Sequence, residues 1–287
     1  MQPELILDAK ATLGEGPVWD SKTQTIYWVD IFEKRVYAGT QILAQLDDLI
    51  GCLAPCKNGR LILALTGAEG RASFVDFDPD SSQQTVLAAL KESAINRFND
   101  GKCDPAGRFI AGTMDLNEKD PNGALYSFDG KQVTCLLDGI TISNGLAWSV
   151  DHKTFYYIDT PTREVKAFDY DLATGQIANP RVAIYVPESL GWPDGMTSDT
   201  DGNLWVAMWG GAQVTKWNPN TGKLLEQIPV PALQTSSCVF GGRDMNELYI
   251  TSARKGMSEE NLKKYPLSGG LFKVTTNVTG MPTFEFG

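Results

Sequence analysis

The sequence IYWVDI at residues 26–31 has the β-branched, aromatic and aliphatic side chains expected of a short β-strand. Similar stretches recur along the chain: LILALT from Leu61, FIAGTM from Phe109, FYYIDT from Phe155, LWVAMW from Leu204 and LYITSA from Leu248. Successive stretches begin 35 to 49 residues apart. Most follow a turn rich in Asp, Asn, Gly or Lys and precede a second strand-like segment, and another short segment lies upstream of the turn. Each repeat therefore predicts four short strands.

Four short strands in every 40 to 50 residues or so are typical of a β-propeller blade. The six repeats predict an all-β protein, a single six-bladed β-propeller over residues 1–287 with four antiparallel strands per blade and a central channel. One blade cannot bury both of its faces, whereas a closed ring of blades can. We expect the segment 4–7 to close the ring by joining the last blade. A pair of β-sandwiches is the alternative, but it leaves the repeat unexplained.

Composition limits the function further. The chain has 25 Lys and Arg against 35 Asp and Glu, a formal net charge of −10 that argues against nucleic acid as a partner. No apolar stretch is long enough to cross a membrane, and the first residues lack a signal-peptide pattern. The five cysteines include no Cys-x-x-Cys and are expected to be buried free thiols. We expect a cytoplasmic monomer or weak homodimer with no nucleic-acid or membrane partner.

The chain has a single histidine, His152, in the predicted surface turn Asp151-His152-Lys153. This excludes zinc sites built from two or three histidines and argues against a Ser-His-Asp triad. Any bound metal would therefore have oxygen ligands. The only helix we expect is a short one over residues 258–264.

Four repeats carry polar residues among glycines just upstream of the predicted innermost strand, where propeller loops converge at the channel: Gly14-Glu15-Gly16-Pro17, Asn99-Asp100-Gly101-Lys102, Ser143-Asn144-Gly145 and Pro193-Asp194-Gly195. Taken singly, each is more simply an ordinary turn. Their recurrence at one position of the repeat favours a site. Glu15, Asn144 and Asp194 form an oxygen-only set from three blades, suited to one divalent cation with positions left open. Arg97 and Asn99 would lie at the same level, where an arginine can donate to substrate oxygens.

Several segments resemble the SMP-30/gluconolactonase/luciferin-regenerating-enzyme family, in order and over essentially the whole chain. They are LGEGPVWD (13–20), RFNDGKCDPAGRFIAGTM (97–114), GALYSFDG (123–130), ISNGLAWS (142–149), GWPDGM (191–196), GNLWVAMWGG (202–211) and FGGRDMNELYITSARKG (240–256). The resemblance implies a six-bladed propeller with one divalent metal at its channel and sugar-lactone hydrolysis, a metal-dependent carboxylic ester hydrolase of the gluconolactonase type. It implies metal ligation by Glu15, Asn144 and Asp194, substrate contacts from Arg97 and Asn99, and Asp194 as the base or water-orienting group.

One segment departs from the family pattern. Animal lactonases of the family have a substrate-contacting Glu after the GTM stretch. Counting from Met114, this chain has Asn117 there, with Glu118 next to it, so both are candidate substrate contacts. The segment 115–122 is expected to form a lid, and the preferred sugar stays open. Asp100 either orients Asn99 and the ligands or is a turn residue.

The expected reaction is attack of water on the lactone carbonyl, polarised by the metal, followed by ring opening to the aldonic acid. The metal could be Ca²⁺, Zn²⁺, Mg²⁺, Mn²⁺ or Fe²⁺. The alternatives are a calcium-binding regulatory (regucalcin-like) protein, a luciferin-regenerating, aryl-ester or organophosphate hydrolase, and a scaffold without a site. For an ester hydrolase, Met114, Trp192 and Trp209 could line an apolar pocket, although packing between blades is the simpler explanation for these side chains.

Overall fold

The computed structural model describes residues 1–287 and has six four-stranded antiparallel sheets. The first three blades are formed by β2 (Gly14–Asp20), β3 (Thr25–Asp30), β4 (Arg35–Ala38) and β5 (Gln41–Gln45); β6 (Leu49–Pro55), β7 (Leu61–Thr66), β8 (Arg71–Phe77) and β9 (Gln84–Lys91); and β10 (Asn96–Cys103), β11 (Phe109–Asp115), β12 (Gly123–Phe128) and β13 (Val133–Ile140). In each blade the strands follow one another in chain order across the sheet. The predicted six-bladed propeller is thereby confirmed.

The remaining blades repeat this arrangement, and the last one borrows a strand from the start of the chain. They contain β14 (Ser143–Trp148), β15 (Thr154–Asp159), β16 (Glu164–Tyr170) and β17 (Ile177–Tyr185); β18 (Trp192–Ser198), β19 (Leu204–Trp209), β20 (Gln213–Asn218) and β21 (Lys223–Pro229); and β22 (Gln234–Gly241), β23 (Glu247–Ala253), β24 (Leu271–Thr275) and β1 (Glu4–Leu7). Because β1 pairs with β24 as the outer strand of blade 6, the ring closes as the sequence predicts.

Short helices occur only in the connections between strands. The helix α1 spans Glu259–Lys264, and Ser258 caps it by accepting a hydrogen bond from the backbone N–H of Asn261, which confirms the predicted helix. Three-residue 3₁₀ helices cover Ala68–Gly70, Thr160–Thr162 and Glu188–Leu190. No helix of the structure has the length and apolar character needed to cross a membrane.

The hydrophobic core lies between the blades. Six clusters of buried apolar side chains occur, one at each junction between neighbouring blades. The recurring sequence stretches are the second strands β3, β7, β11, β15, β19 and β23, which are almost completely buried. Each blade covers the faces of its neighbours, so these second strands show a clear apolar signal. Four cysteines are buried free thiols, whereas the prediction fails for Cys135, which is exposed on an outer strand.

The innermost strand of every blade has a shift in register against the second strand, at a similar distance from its start. The shifts lie between Glu15 and Val18, Ile50 and Cys52, Phe98 and Gly101, Asn144 and Leu146, Pro193 and Met196, and Thr235 and Ser237. A β-bulge bends a strand and redirects its side chains. The six shifts therefore form one ring of irregular backbone around the channel.

The C-terminal segment closes the other end of the channel. After β24, the chain bonds through Met281 N–H to Ser198 O at 3.0 Å and through Phe286 N–H to Pro55 O at 2.9 Å. The ring of Phe286 stacks on Phe128 with centroids 5.6 Å apart. These partners belong to three different blades, at the ends of the inner strands β6 and β18 and of the third strand β12, so this segment ties the three blades together.

Candidate functional site

The predicted metal ligands and most of the predicted substrate-binding residues meet at one end of the channel. Glu15 lies in β2, Asn144 in β14 and Asp194 in β18, and all three are buried. They line a cavity of about 420 Å³, a volume that includes the open space at its mouth. The lining residues are Leu13, Glu15, Arg97, Asn99, Met114, Glu118, Ile142, Asn144, Thr160, Asp194, Trp209 and Lys255. The polar residues lie inside the innermost strands, at the register shifts, rather than in turns upstream of them as expected.

A chain of hydrogen bonds connects three of these blades. Arg97 Nη1 donates to Asn99 Oδ1 at 2.6 Å, and Asn99 Nδ2 donates to Asn144 Oδ1 at 3.1 Å. Asn144 Nδ2 in turn donates to Thr160 Oγ1 at 2.8 Å, and the Thr160 hydroxyl donates to Pro193 O at 2.8 Å. The chain fixes the orientation of both amides. It also leaves one lone pair of Asn144 Oδ1 available to a cation, since a carbonyl oxygen has two.

The channel end has three buried carboxyl groups. Burial, followed by the negative charge of Asp100, raises the pKa of Glu15 from 4.5 to about 8. Burial, then the charges of Glu15 and Asp100, raises the pKa of Asp194 well above its usual range. Burial also raises the pKa of Asp100. Two cations, the buried Arg97 and the half-buried Lys102, oppose them: desolvation lowers the pKa of Arg97 to about 10 and also lowers the pKa of Lys102.

Two carboxylate oxygens are left without a hydrogen-bond partner. They are Asp194 Oδ1 and Asp100 Oδ2, and both are fully buried. A buried polar atom without a partner is costly, and a buried unpaired charge is more so. No group of three or more His, Cys, Asp or Glu side chains could hold a metal. Glu15, Asn144 and Asp194 instead provide two carboxylates and one amide oxygen, which fit a hard divalent cation such as Ca²⁺, Mg²⁺ or Mn²⁺.

Asn117 and Glu118 are in different places relative to the cavity. Glu118 lines it and bonds to the ammonium group of Lys255. Asn117 does not line it; its backbone N–H and its Nδ2 both donate to Asp115 Oδ1, at 3.1 and 3.3 Å. Asp100 lies beneath the cavity, where one of its oxygens accepts the Gly101 N–H at 2.7 Å.

Two polar residues of the cavity, Thr160 and Lys255, were not predicted from the sequence. The sequence did contain a signal for Thr160: like Met114 and Trp209, it is the sixth residue of a recurring stretch, and all three residues line the cavity. Lys255 follows the sixth stretch by two residues and has no counterpart in the repeat. Trp192 lies outside the cavity, 41% exposed, with the Arg163 guanidinium 3.6 Å above its ring.

Comparison with known proteins places this arrangement in a family. The sequence profile described as the SMP-30/Gluconolactonase/LRE-like region matches residues 13–254. The chain belongs to this family. The resemblance found in the sequence is thereby confirmed.

Members of the SMP-30/gluconolactonase/LRE-like family match the chain along nearly all of its length. Regucalcin from Danio rerio is 41% identical over 293 residues, which cover 99% of this chain and 97% of the relative. The structure of a luciferin-regenerating enzyme is 34% identical, with a TM-score of 0.87 over 97% of this chain and 96% of that one. A calcium-binding protein, regucalcin from Agrobacterium tumefaciens, is 25% identical, with a TM-score of 0.92 over 100% and 97%. Membership of this family supports a lactonase-type or regucalcin-like function.

Proposed function

We propose that the protein is a divalent-metal-dependent hydrolase that opens a sugar lactone to the corresponding aldonic acid. One observation carries the proposal. The buried oxygen Asp194 Oδ1 has no partner in the protein, and its residue lines a cavity with Glu15 and Asn144. On the same cavity wall Arg97 and Asn99 offer groups suited to sugar hydroxyls. A structural cation site would not need that second set of polar groups.

The chemistry needs a polarised carbonyl, an activated water and a route for one proton. A divalent cation held by Glu15, Asn144 and Asp194 would polarise the lactone carbonyl and lower the pKa of a water molecule. Asp194, whose carboxylate has an oxygen that no donor of the protein occupies, would accept the proton of the attacking water. The water oxygen adds to the carbonyl carbon, the ring C–O bond breaks, and the ring oxygen takes the proton that Asp194 had accepted, which returns Asp194 to its carboxylate form. The products are a carboxyl group and a hydroxyl group on one chain.

Arg97 and Asn99 orient the sugar in complementary ways. Arg97 remains charged at neutral pH because its pKa, although lowered by burial, is about 10. Its Nη1 already bonds to Phe98 O and Asn99 Oδ1, so Nε and Nη2 are the donors left for substrate hydroxyls. Both amide hydrogens of Asn99 are used within the protein, by Ser143 O and Asn144 Oδ1. Asn99 therefore contributes its oxygen as an acceptor, and holding the lactone between the two converts binding energy into rate.

The test is lactone hydrolysis by chelator-treated protein, with each divalent ion added back. Glucono-, galactono-, xylono- and arabinonolactone are followed with a pH indicator and corrected for spontaneous opening. Activity restored by one ion supports the proposal if Asp194→Asn lowers it by about 10²–10⁴-fold. The matched control is Asp169→Asn, which changes an exposed aspartate paired with Arg181 and should keep full activity.

Other results would assign a different function. Tight binding of Ca²⁺ without turnover of any lactone would contradict the proposal and support a calcium-binding protein. Hydrolysis of aryl esters or organophosphates, but not of lactones, would support an ester hydrolase using the same metal site.

A further inference from the structure

Glu118 and Lys255 meet across the mouth of the cavity although they belong to blades on opposite sides of the ring. Glu118 lies between β11 and β12 of blade 3, and Lys255 follows β23 of blade 6. Blades 3 and 6 face each other across the channel of a six-bladed ring. The Lys255 ammonium nevertheless donates to the Glu118 carboxylate, and both side chains line the cavity. The ion pair therefore bridges the opening above the metal ligands.

The turn that carries Glu118 is organised by one buried carboxylate. Asp115 accepts hydrogen bonds from the backbone N–H groups of Asn117, Lys119 and Asp120 at 3.1 to 3.2 Å, and from Asn117 Nδ2 at 3.3 Å. Glu118, in the middle of this turn, has a left-handed φ of 61°. A non-glycine residue keeps that conformation only where its surroundings impose it. The turn thus presents Glu118 to the mouth, while Asn117 helps to hold the turn.

Lys255 is held from the opposite side. Its backbone N–H donates to Thr12 O at 2.9 Å. Its ammonium lies 5.4 Å from the centroid of the Phe32 ring, which is also 5.5 Å from the guanidinium carbon of Arg97. The mouth therefore has a donor in Lys255 and an acceptor in Glu118, and the Phe32 ring packs beside the donor. This combination complements a sugar, whose hydroxyls both donate and accept hydrogen bonds.

We propose that Glu118 and Lys255 are specificity-determining residues that restrict the site to lactones of a single sugar ring. The choice of substrate class rests on the proposed function. The side chains of Glu118 and Lys255 are 40% and 28% exposed, and an ion pair this exposed is weak enough to open for entry. A ligand that fits beneath the pair lets it form again. A ligand with a second ring projecting through the mouth keeps it broken and loses that interaction.

The test compares the wild type with Glu118→Gln, Lys255→Met and the charge-swapped double variant Glu118→Lys/Lys255→Glu. The readout is the ratio of kcat/KM for 4-O-glucosylgluconolactone to that for gluconolactone, measured with the metal restored. Each single variant should raise this ratio by about two- to fivefold, the range of an exposed ion pair, mainly through the KM of the two-ring substrate. The swap should return the ratio towards the wild-type value. Arg181→Met, which breaks an exposed pair with Asp169 on blade 4, should leave it unchanged.

A binding measurement separates this proposal from the lactonase proposal. Calorimetric titration with gluconate and with 4-O-glucosylgluconate measures the corresponding ratio of binding affinities for one-ring and two-ring ligands, and it requires no hydrolysis. If no lactone is hydrolysed but the binding ratio shifts in the single variants and recovers in the swap, the lactonase proposal fails and the specificity pair stands. The pair does not determine specificity if the binding ratio is the same in the wild type and all three variants. The same conclusion follows if the ratio of the charge-swapped variant differs from the wild-type ratio by as much as the changes in the two single variants combined.

Discussion

Replacing Glu15 by glutamine is expected to stabilise the metal-free protein at neutral pH while removing a proposed metal ligand. Glu15 is only 3% exposed, and burial together with Asp100 raises its pKa from 4.5 to about 8. An acid with a raised pKa in the folded state holds its proton more tightly there than in the unfolded chain. Its contribution to stability is therefore greatest below pH 4.5 and declines as the pH rises towards 8.

The size of the change in unfolding free energy follows from the pH range between the two pKa values of Glu15, 4.5 and about 8. Stability should fall by about 1.4 kcal/mol per pH unit between 4.5 and 8, because the unfolded chain releases this proton and the folded protein keeps it. At pH 7 the accumulated loss is about 3 kcal/mol. Glutamine has no proton to release, and its oxygen can still accept the Gly16 N–H, which lies 2.8 Å from Glu15 Oε2. Glu15→Gln should thus be about 3 kcal/mol more stable than the wild type at pH 7 and nearly equal to it near pH 4.5.

The assay is urea denaturation in the presence of a chelator at pH 5, 6, 7 and 8, reported as the difference in unfolding free energy between variant and wild type. Glu188→Gln, at an exposed position, should show no trend with pH. Adding the activating cation should stabilise the wild type and leave Glu15→Gln almost unaffected. A difference that does not grow between pH 5 and 7, or a variant less stable than the wild type at pH 7, would refute the reasoning.

Three further substitutions test how the site and the ring are supported. Thr160→Val should weaken metal binding by about 10- to 100-fold in a calorimetric titration, since Asn144 loses the hydroxyl that orients its amide. Thr160→Ser keeps a hydroxyl and should retain the metal affinity. An equal loss of affinity in both variants would argue against this role of Thr160. Gly145→Ala places a Cβ 2.7 Å from the backbone oxygen of Asp194. It should cost about 1–3 kcal/mol in urea denaturation and weaken metal binding, and unchanged affinity would show that the strand adapts. Phe286→Ala should cost about 1–3 kcal/mol without changing metal affinity, and a loss of affinity would instead link the C-terminal segment to the site.

The fold was predictable because the strongest sequence signal coincides with the most buried strands. The stretches 61–66, 109–114 and 204–209 lie between neighbouring blades and are apolar over most of their length. Outer strands such as Gln84–Lys91 are exposed on most positions and have no such signal, so their bounds could not be read from the residues alone. The path of the C-terminal segment was not predictable either, because the segment is held largely by backbone hydrogen bonds, which residues of almost any type can form and which leave no pattern in the sequence.

The grouping of the proposed metal ligands was predictable from their recurrence, and their local structure was not. Asn-Gly and Asp-Gly are frequent in turns, so the sequence placed Asn144 and Asp194 just ahead of their strands. In the structure the glycines allow neighbouring inner strands to approach closely at the register shift, and the strand continues through it. The choice between Asn117 and Glu118 depends on the left-handed φ of Glu118, which neighbouring residues impose and which no spacing rule reveals.

The charges at the channel explain why metal binding and stability should be linked in this protein. Glu15, Asp100 and Asp194 are buried beside Arg97 and the half-buried Lys102, so the fully ionised group has three negative charges against two positive. A divalent cation changes that balance from −1 to +1 and gives Asp194 Oδ1 a partner. A cation present at a hundred times its Kd stabilises a folded protein by about 2.7 kcal/mol. That gain in unfolding free energy is comparable to the loss of about 3 kcal/mol derived above for burying Glu15 at pH 7. Cation binding can therefore offset the destabilisation that the buried carboxylates cause in the metal-free protein.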